Sequence, residues 1–407
     1  MHSVKGPSDV AEIRRANLAL TLQTLDELAP CSRTDLRHAT GLVSGSVSSL
    51  VDELVARGLV VEPGQTTSNG RGRPRRVLGL NPLRVVGVAV QLTPLEVIAE
   101  VRDLGGELRW QVRQPHGIRH GVSDDLVAAL VDAALQAEAA AAQIAGAWVC
   151  GTVVGVPGPV ASGRVLADSI EFGTPRTDLF EPLRERLPAG RDLVVMNDGR
   201  LGAVAEYSAI PPRERPRSMA YLTGGKGVSG GLIVAGMPHL GAHLMAGECG
   251  HISVAMDGPP CDCGARGCLT LYLGTDALFA ATDLTTLAAD RGQDVALVRL
   301  EERLAAGDAD ARTALDRAGR ALASAIGTMS NYTDIDLVVL GGALPRLERW
   351  LLAPVTELLD ARQERIPEFN PVVASARRGD GATLIGAWLL ARQRLMADPS
   401  RVPLLGG

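Results

Sequence analysis

The stretch GHISVAMDGPPCDCGARGC, residues 250–268, carries one histidine and three cysteines at spacings that suit a metal ion. His251, Cys261, Cys263 and Cys268 offer one imidazole nitrogen and three thiolates, a donor set for tetrahedral zinc. Four protein ligands close that sphere and leave no open position for an activated water. A structural Zn2+ is therefore expected, not a catalytic one. Gly264 and Gly267 let the chain turn tightly around the ion. Cys249 lies outside the spacing and is expected to pack rather than ligate. Six cysteines in 407 residues, three of them between 261 and 268, do not read as a disulfide framework.

Outward from the cage, composition sets the class. The chain is 46% hydrophobic and 21% charged, ordinary for a globular protein, and longer than a single domain of about 100–150 residues. It holds no apolar run of about 18 residues, so no transmembrane helix is expected. The opening MHSVKGPSDVAEIRR lacks a signal-like apolar stretch, so a cytoplasmic location is expected. Net charge is −5, yet residues 1–82 are slightly basic and the remainder is acidic. A basic head on an acidic body fits a nucleic-acid-binding module joined to something else.

Residues 1–82 read as that module. DVAEIRRANLALTLQTLDEL repeats apolar residues at helical spacing, with Ile13, Ala16, Leu20, Leu25 and Leu28 as the expected core face. SRTDLRHATG opens with Ser32 and Asp35, a capping-box pattern, and stops at Gly41. LVSGSVSSLVDELVARG puts Val47, Leu50, Val51, Leu54 and Val55 on one face. Three short helices followed by LVVE and RVLGL predict a winged helix-turn-helix for double-stranded DNA. The expected contacts are Arg33, then Ser44, Ser46, Ser48 and Ser49 on the third helix. Arg71, Arg73 and Arg75 lie in a Gly/Pro-spaced loop that suits phosphates or a narrow minor groove. Serines read bases weakly, so specificity is expected from the wing, DNA shape and half-site spacing.

From residue 83 the pattern alternates strands and helices, implying an α/β body with helices covering its sheets. Here GVPGPV, NDGRLGAVAEY, AGECGHISVAMDGPPCDCGARGCL and VVLGG stand in an order and spacing that resemble the ROK family of repressors, open reading frames and sugar kinases. The resemblance implies a two-lobed actin-like ATPase (ribonuclease H-like) fold over 83–407. The fused head resembles the family's transcriptional branch. It also implies that Asn197, Asp198, Glu248 and His251 hold sugar hydroxyls, the zinc orienting the histidine.

In family kinases the counterpart of Asp198 is the general base, and an Asp-x-Gly-Gly-Thr turn cradles ATP phosphates. This chain has Ala89 for the aspartate, Gln91 and Leu92 for the glycines, and keeps only Thr93. A second turn, usually Gly-Thr-Gly, reads Gly225-Lys226-Gly227, making Lys226 a candidate anion contact. Thr270 stands where the family usually has a glutamate. These departures lead to an expectation of no enzymatic activity. The expected protein is instead a sugar-responsive regulator, most simply a repressor, acting as a homodimer or homotetramer. The alternative is an active ATP-dependent sugar kinase with a fused DNA-binding domain.

Overall fold

The computed structural model describes residues 10–62, 65–66, 75–116, 124–161, 165–166 and 178–406, the pairs 65–66, 75–76 and 165–166 by backbone alone. The head begins with helices α1 (Val10–Leu28), α2 (Arg33–Thr40) and α3 (Ser44–Ala56). Ser32 and Asp35 close the expected capping box at the start of α2. Gly41, at φ 72°, ends that helix in the left-handed region that favours glycine. Strand β1 (Val60–Val61) pairs antiparallel with β2 (Gly79–Leu80), and Gln65–Thr66 pairs with Arg75–Arg76 beyond them.

The face of α1 differs from the expectation. Ile13, Leu20 and Leu28 are 49%, 40% and 44% exposed, and Ala16 is exposed too. Leu18, Ala19, Thr21, Leu22 and Leu25 are the buried set. The apolar spacing admits two adjacent faces, and the one with Leu18, Leu22 and Leu25 is buried because it joins the apolar cluster of the head and body. On α3 the expected Val47, Leu50, Val51 and Leu54 are buried, and Val55 is partly so.

The body repeats one motif twice. In the first lobe β3 (Val85–Leu92), β4 (Glu96–Asp103) and β5 (Leu108–Pro115) form a meander. After α4 (Asp124–Ala142), β6 (Trp148–Val156) and β7 (Leu193–Asn197) add in parallel, giving the order β7-β6-β3-β4-β5. Helix α5 (Asp198–Ala209) follows. The second lobe starts with the meander β8 (Ser218–Gly224), β9 (Val228–Val234) and β10 (Met237–Pro238). Beyond α6 (Ala309–Thr333) come β11 (Leu337–Gly342), α7 (Leu344–Gln363), β12 (Val372–Ser375) and α8 (Ala382–Ala397). Strands β11 and β12 join β8 in parallel, in the order β10-β9-β8-β11-β12. Both lobes are thus a three-stranded meander extended by two parallel strands.

Strand β3 is rich in valine because both its faces are covered. Val86, Val88 and Val90 meet α4, whereas Ala89 joins Leu201 of α5 with Leu384 and Ala387 of α8. One residue pair along α5, Ala203 packs instead with Met219, Tyr221 and Ile233 of the second lobe. Helix α5 therefore lies against both lobes. Its packing on α8 is so close that a Cβ on Gly386 would sit 1.9 Å from Leu201 O. Glu206 of α5 accepts the backbone N–H groups of Arg377 and Arg378 at 2.8 and 2.7 Å, pinning the segment that enters α8.

Head and body are continuous. Leu22, Leu25 and Leu54 share one apolar cluster with Val85, Leu104, Met396 and Val402. The C-terminal segment runs between them as a strap. Leu405 N–H donates to Ala56 O at 2.8 Å, and Arg57 donates to Ser400 O at 2.8 Å and to Val402 O. Arg84, only 7% exposed, spends its guanidinium on Arg57 O, Pro403 O and Gly146 O. Arg392 of α8 reaches Asp26 of α1 at 2.6 Å.

Candidate functional site

The C-terminal end of β7 runs directly into α5, and that junction carries Asn197 and Asp198. Asn197 is the N-cap: its Oδ1 accepts Arg200 N–H at 3.2 Å while its Nδ2 donates to Gly158 O at 3.1 Å. Both ends of its amide are used in fixing the junction. Asp198 Oδ1 accepts Gly199 N–H at 2.7 Å and Ser229 O–H at 2.9 Å. Burial pushes the Asp198 carboxyl up to about 6, against the Ser229 and Gly199 hydrogen bonds that lower it. It is a carboxylate poised to take a proton near neutral pH. Gly199 lets α5 come this close to β9: a Cβ there would meet Gly230 N at 2.4 Å.

Glu248 and His251 come from the segment after β10. Glu248 Oε1 accepts from Arg200 Nη2 at 2.6 Å, and His251 N–H donates to Glu248 O at 3.0 Å. Burial raises the Glu248 carboxyl, opposed by Arg200 and reinforced by Asp198, so the three groups feel one another across the junction.

His251, Cys261, Cys263 and Cys268 converge, their ligand atoms all within 4.8 Å of one another. Cys261 Sγ lies 3.7 Å from His251 Nδ1, and Cys263 Sγ lies 3.5 Å from Cys268 Sγ. A tetrahedron with bonds of about 2.3 Å has edges of about 3.8 Å, so this donor set could hold a metal ion. His251 turns Nδ1 toward the cage, and burial lowers its pKa, keeping the ring neutral and able to ligate. Gly264 and Gly267 stand at φ 88° and 63°, as the expected turns require. Cys249 is buried in the second-lobe core, outside the donor group.

Of the remaining expected positions, Lys226 and Thr270 lie close together, Gly227 packing against the Thr270 hydroxyl. Thr93 closes the β3–β4 turn on Glu96. Gln91 is the penultimate residue of β3, with its Oε1 buried and unpartnered among the described residues. Lys226 is half-buried in a turn held by Thr275, whose N–H and hydroxyl both reach Gly225 O at 2.8 Å. The Thr270 hydroxyl accepts Val228 N–H at 3.0 Å inside the core. In the head, Ser44 and Ser49 are exposed, while Ser46 and Ser48 are half-buried. Arg33 is tied to Asp52 and Glu62 at 2.8 and 3.0 Å. Arg71 and Arg73 lie outside the described residues, and Arg75 is described by backbone only. Sequence reasoning missed Arg200, Ser229 and Glu206. Arg200 stands two residues past Asp198, but nothing in the sequence joins it to a loop more than forty positions away.

The ROK family model matches residues 101–394, most of the chain. The chain belongs to the ROK family. An N-acetylmannosamine kinase of Vibrio vulnificus is 31% identical over 232 residues, 56% of this chain and 75% of that protein. A kanosamine kinase of Amycolatopsis mediterranei is 30% identical over 280 residues, 68% of this chain and 86% of that one. Among solved structures, a ROK family transcriptional regulator, a homologue of the E. coli MLC protein, aligns with TM-score 0.76 at 22% identity. That alignment covers 95% of this chain and 97% of the other, and at such identity the likeness concerns fold. The curated kinases correct the expectation of no enzymatic activity. That expectation weighed Ala89, Gln91 and Leu92 in one turn, whereas the likeness to sugar kinases extends over more than half the ROK chain. Asp198 also has the surroundings of a base.

Proposed function

We propose that this chain joins a sugar-binding ROK body, residues 83–407, to a DNA-binding winged head, residues 1–82, and that sugar occupancy of the cleft sets affinity for DNA. The observation that carries the reading is the junction of β7 and α5. It puts Asp198 two residues from Arg200, which holds Glu248, on a helix packed against both lobes, and Glu248 O accepts the His251 N–H. Asp198 and Glu248 accept hydrogen bonds from sugar hydroxyls, Asn197 fixes the turn, and His251 offers its outer nitrogen in one tautomer. His251, Cys261, Cys263 and Cys268 would hold a zinc ion, which would fix that ring in place.

Coupling runs through α8. It packs on α5, is pinned at its entry by Glu206, and reaches the head through Arg392 and the strap. A ligand that favours one lobe arrangement shifts the head with it. Paired half-sites on DNA would call for a dimer or tetramer.

The same cleft supports a second reading, favoured by the relatives: ATP-dependent sugar phosphorylation. Asp198 takes the proton of the attacking hydroxyl as its oxygen bonds the transferred phosphoryl group, and ADP leaves. Both readings share the sugar. Sugar-dependent ADP release by the purified protein, lost in Asp198→Ala, supports the kinase reading. Sugar binding without ADP release favours the regulator alone.

A further inference from the structure

Arg200 stands two residues past Asp198 in the first turn of α5 and is 3% exposed. Its guanidinium donates from Nε to Ala246 O at 2.8 Å, from Nη1 to Leu244 O, and from Nη2 to Glu248 Oε1 at 2.6 Å. Leu244 holds φ 59°, a left-handed conformation that a leucine keeps only where its surroundings fix it. One buried side chain thus secures the 244–248 loop and takes one oxygen of its carboxylate, leaving Oε2 available to a ligand.

The charge of that pair decides what the ligand can be. A lone carboxylate in a poorly hydrated cleft attracts an ammonium strongly. One already paired with a buried guanidinium has much of its charge offset and accepts a neutral donor at little further cost. We propose that Arg200 is a specificity-determining positioning residue: by pairing with Glu248 it selects sugars bearing neutral hydroxyl or N-acetyl groups over sugars bearing a free ammonium. This rests on the sugar-site reading. Arg200 acts through Glu248 and the loop, because it is buried beneath them with three of its N–H groups holding them.

Calorimetric titration of the full-length protein with glucose, mannose, N-acetylglucosamine, N-acetylmannosamine and glucosamine, at a pH where the amine is protonated, tests this. The wild type should bind a neutral sugar at least about tenfold more tightly than glucosamine, and Arg200→Gln should narrow that ratio by about tenfold. Arg200→Lys, which keeps the charge, should restore most of the ratio. A merely structural role would weaken all sugars alike and leave the ratio unmoved, which overturns the inference. Should Arg200→Gln fail to fold, Glu248→Gln keeps the loop bonds and leaves the guanidinium unpaired. The ratio should then widen, and an unchanged ratio overturns the proposal. A wild type that binds glucosamine as well as neutral sugars overturns the inference but spares the site. One that binds no sugar at all overturns both.

Discussion

At the scale of single residues, the proposed function rests on Asp198 and the cage. Burial holds the Asp198 carboxyl near 6, above the usual value of about 3.9, so the folded state binds its proton more tightly than the unfolded chain does. That contribution to stability is full below about pH 4 and is lost as pH rises through about 6. Asp198→Asn should therefore melt higher than wild type at pH 7 and lose the advantage near pH 4, as scanning calorimetry across pH would show. If the cleft transfers phosphate, its rate should climb through pH 6, and the same variant should lose about 10²–10⁴-fold in sugar-dependent ADP release. Cys263→Ser should reduce bound zinc and weaken sugar affinity by about tenfold through a loosened His251, read by metal analysis alongside titration. Normal sugar affinity in a metal-free variant contradicts that role. The cage was legible because metal-ligand chemistry fixes residue type and spacing, whereas the Asn-Asp pair was singled out only through the resemblance to the ROK family. Arg200 and Ser229 were not, since their roles exist only once α5 lies against β9 and the loop before Glu248.

At the scale of elements, α1 and the strap show where periodicity ends. The spacing in α1 allows two neighbouring faces, and only the tertiary fit selects Leu18, Leu22 and Leu25 over Ile13 and Leu20. Leu22→Ala should cost about 2–5 kcal/mol in denaturant unfolding, whereas Ile13→Ala should stay within about 0.5 kcal/mol of wild type. Capping boxes and glycine stops were readable because local backbone chemistry sets them, as at Ser32, Asp35 and Gly41. The strap was invisible: Ser400, Val402, Pro403 and Leu405 contribute mainly backbone groups and burial, which leave no residue signature. Arg84 closes it by satisfying three carbonyls with one buried cation. Arg84→Ala should destabilise the chain by at least about 2 kcal/mol and split one cooperative unfolding transition into two. A single transition at the wild-type midpoint would deny the strap its coupling role.

At the scale of the whole molecule, the two lobes are one motif used twice, with α5 against both and α8 leading on to the head. The alternation of strands and helices made the α/β class readable, and the ordered glycine turns and cage pointed to the family. The sequence divides naturally at residue 82, but the apolar core does not, because Leu25 and Leu54 share a cluster with Leu104 and Val402. In the proposed function, that continuity carries movement of the body to the head. The most direct measurement is binding of the full-length protein to the DNA upstream of its own coding region, at one stated salt concentration, with each sugar of the panel added in turn. A neutral sugar that binds the cleft should change the dissociation constant for DNA at least about fivefold. A sugar that saturates the cleft and leaves DNA affinity unchanged would contradict the coupling of cleft to head.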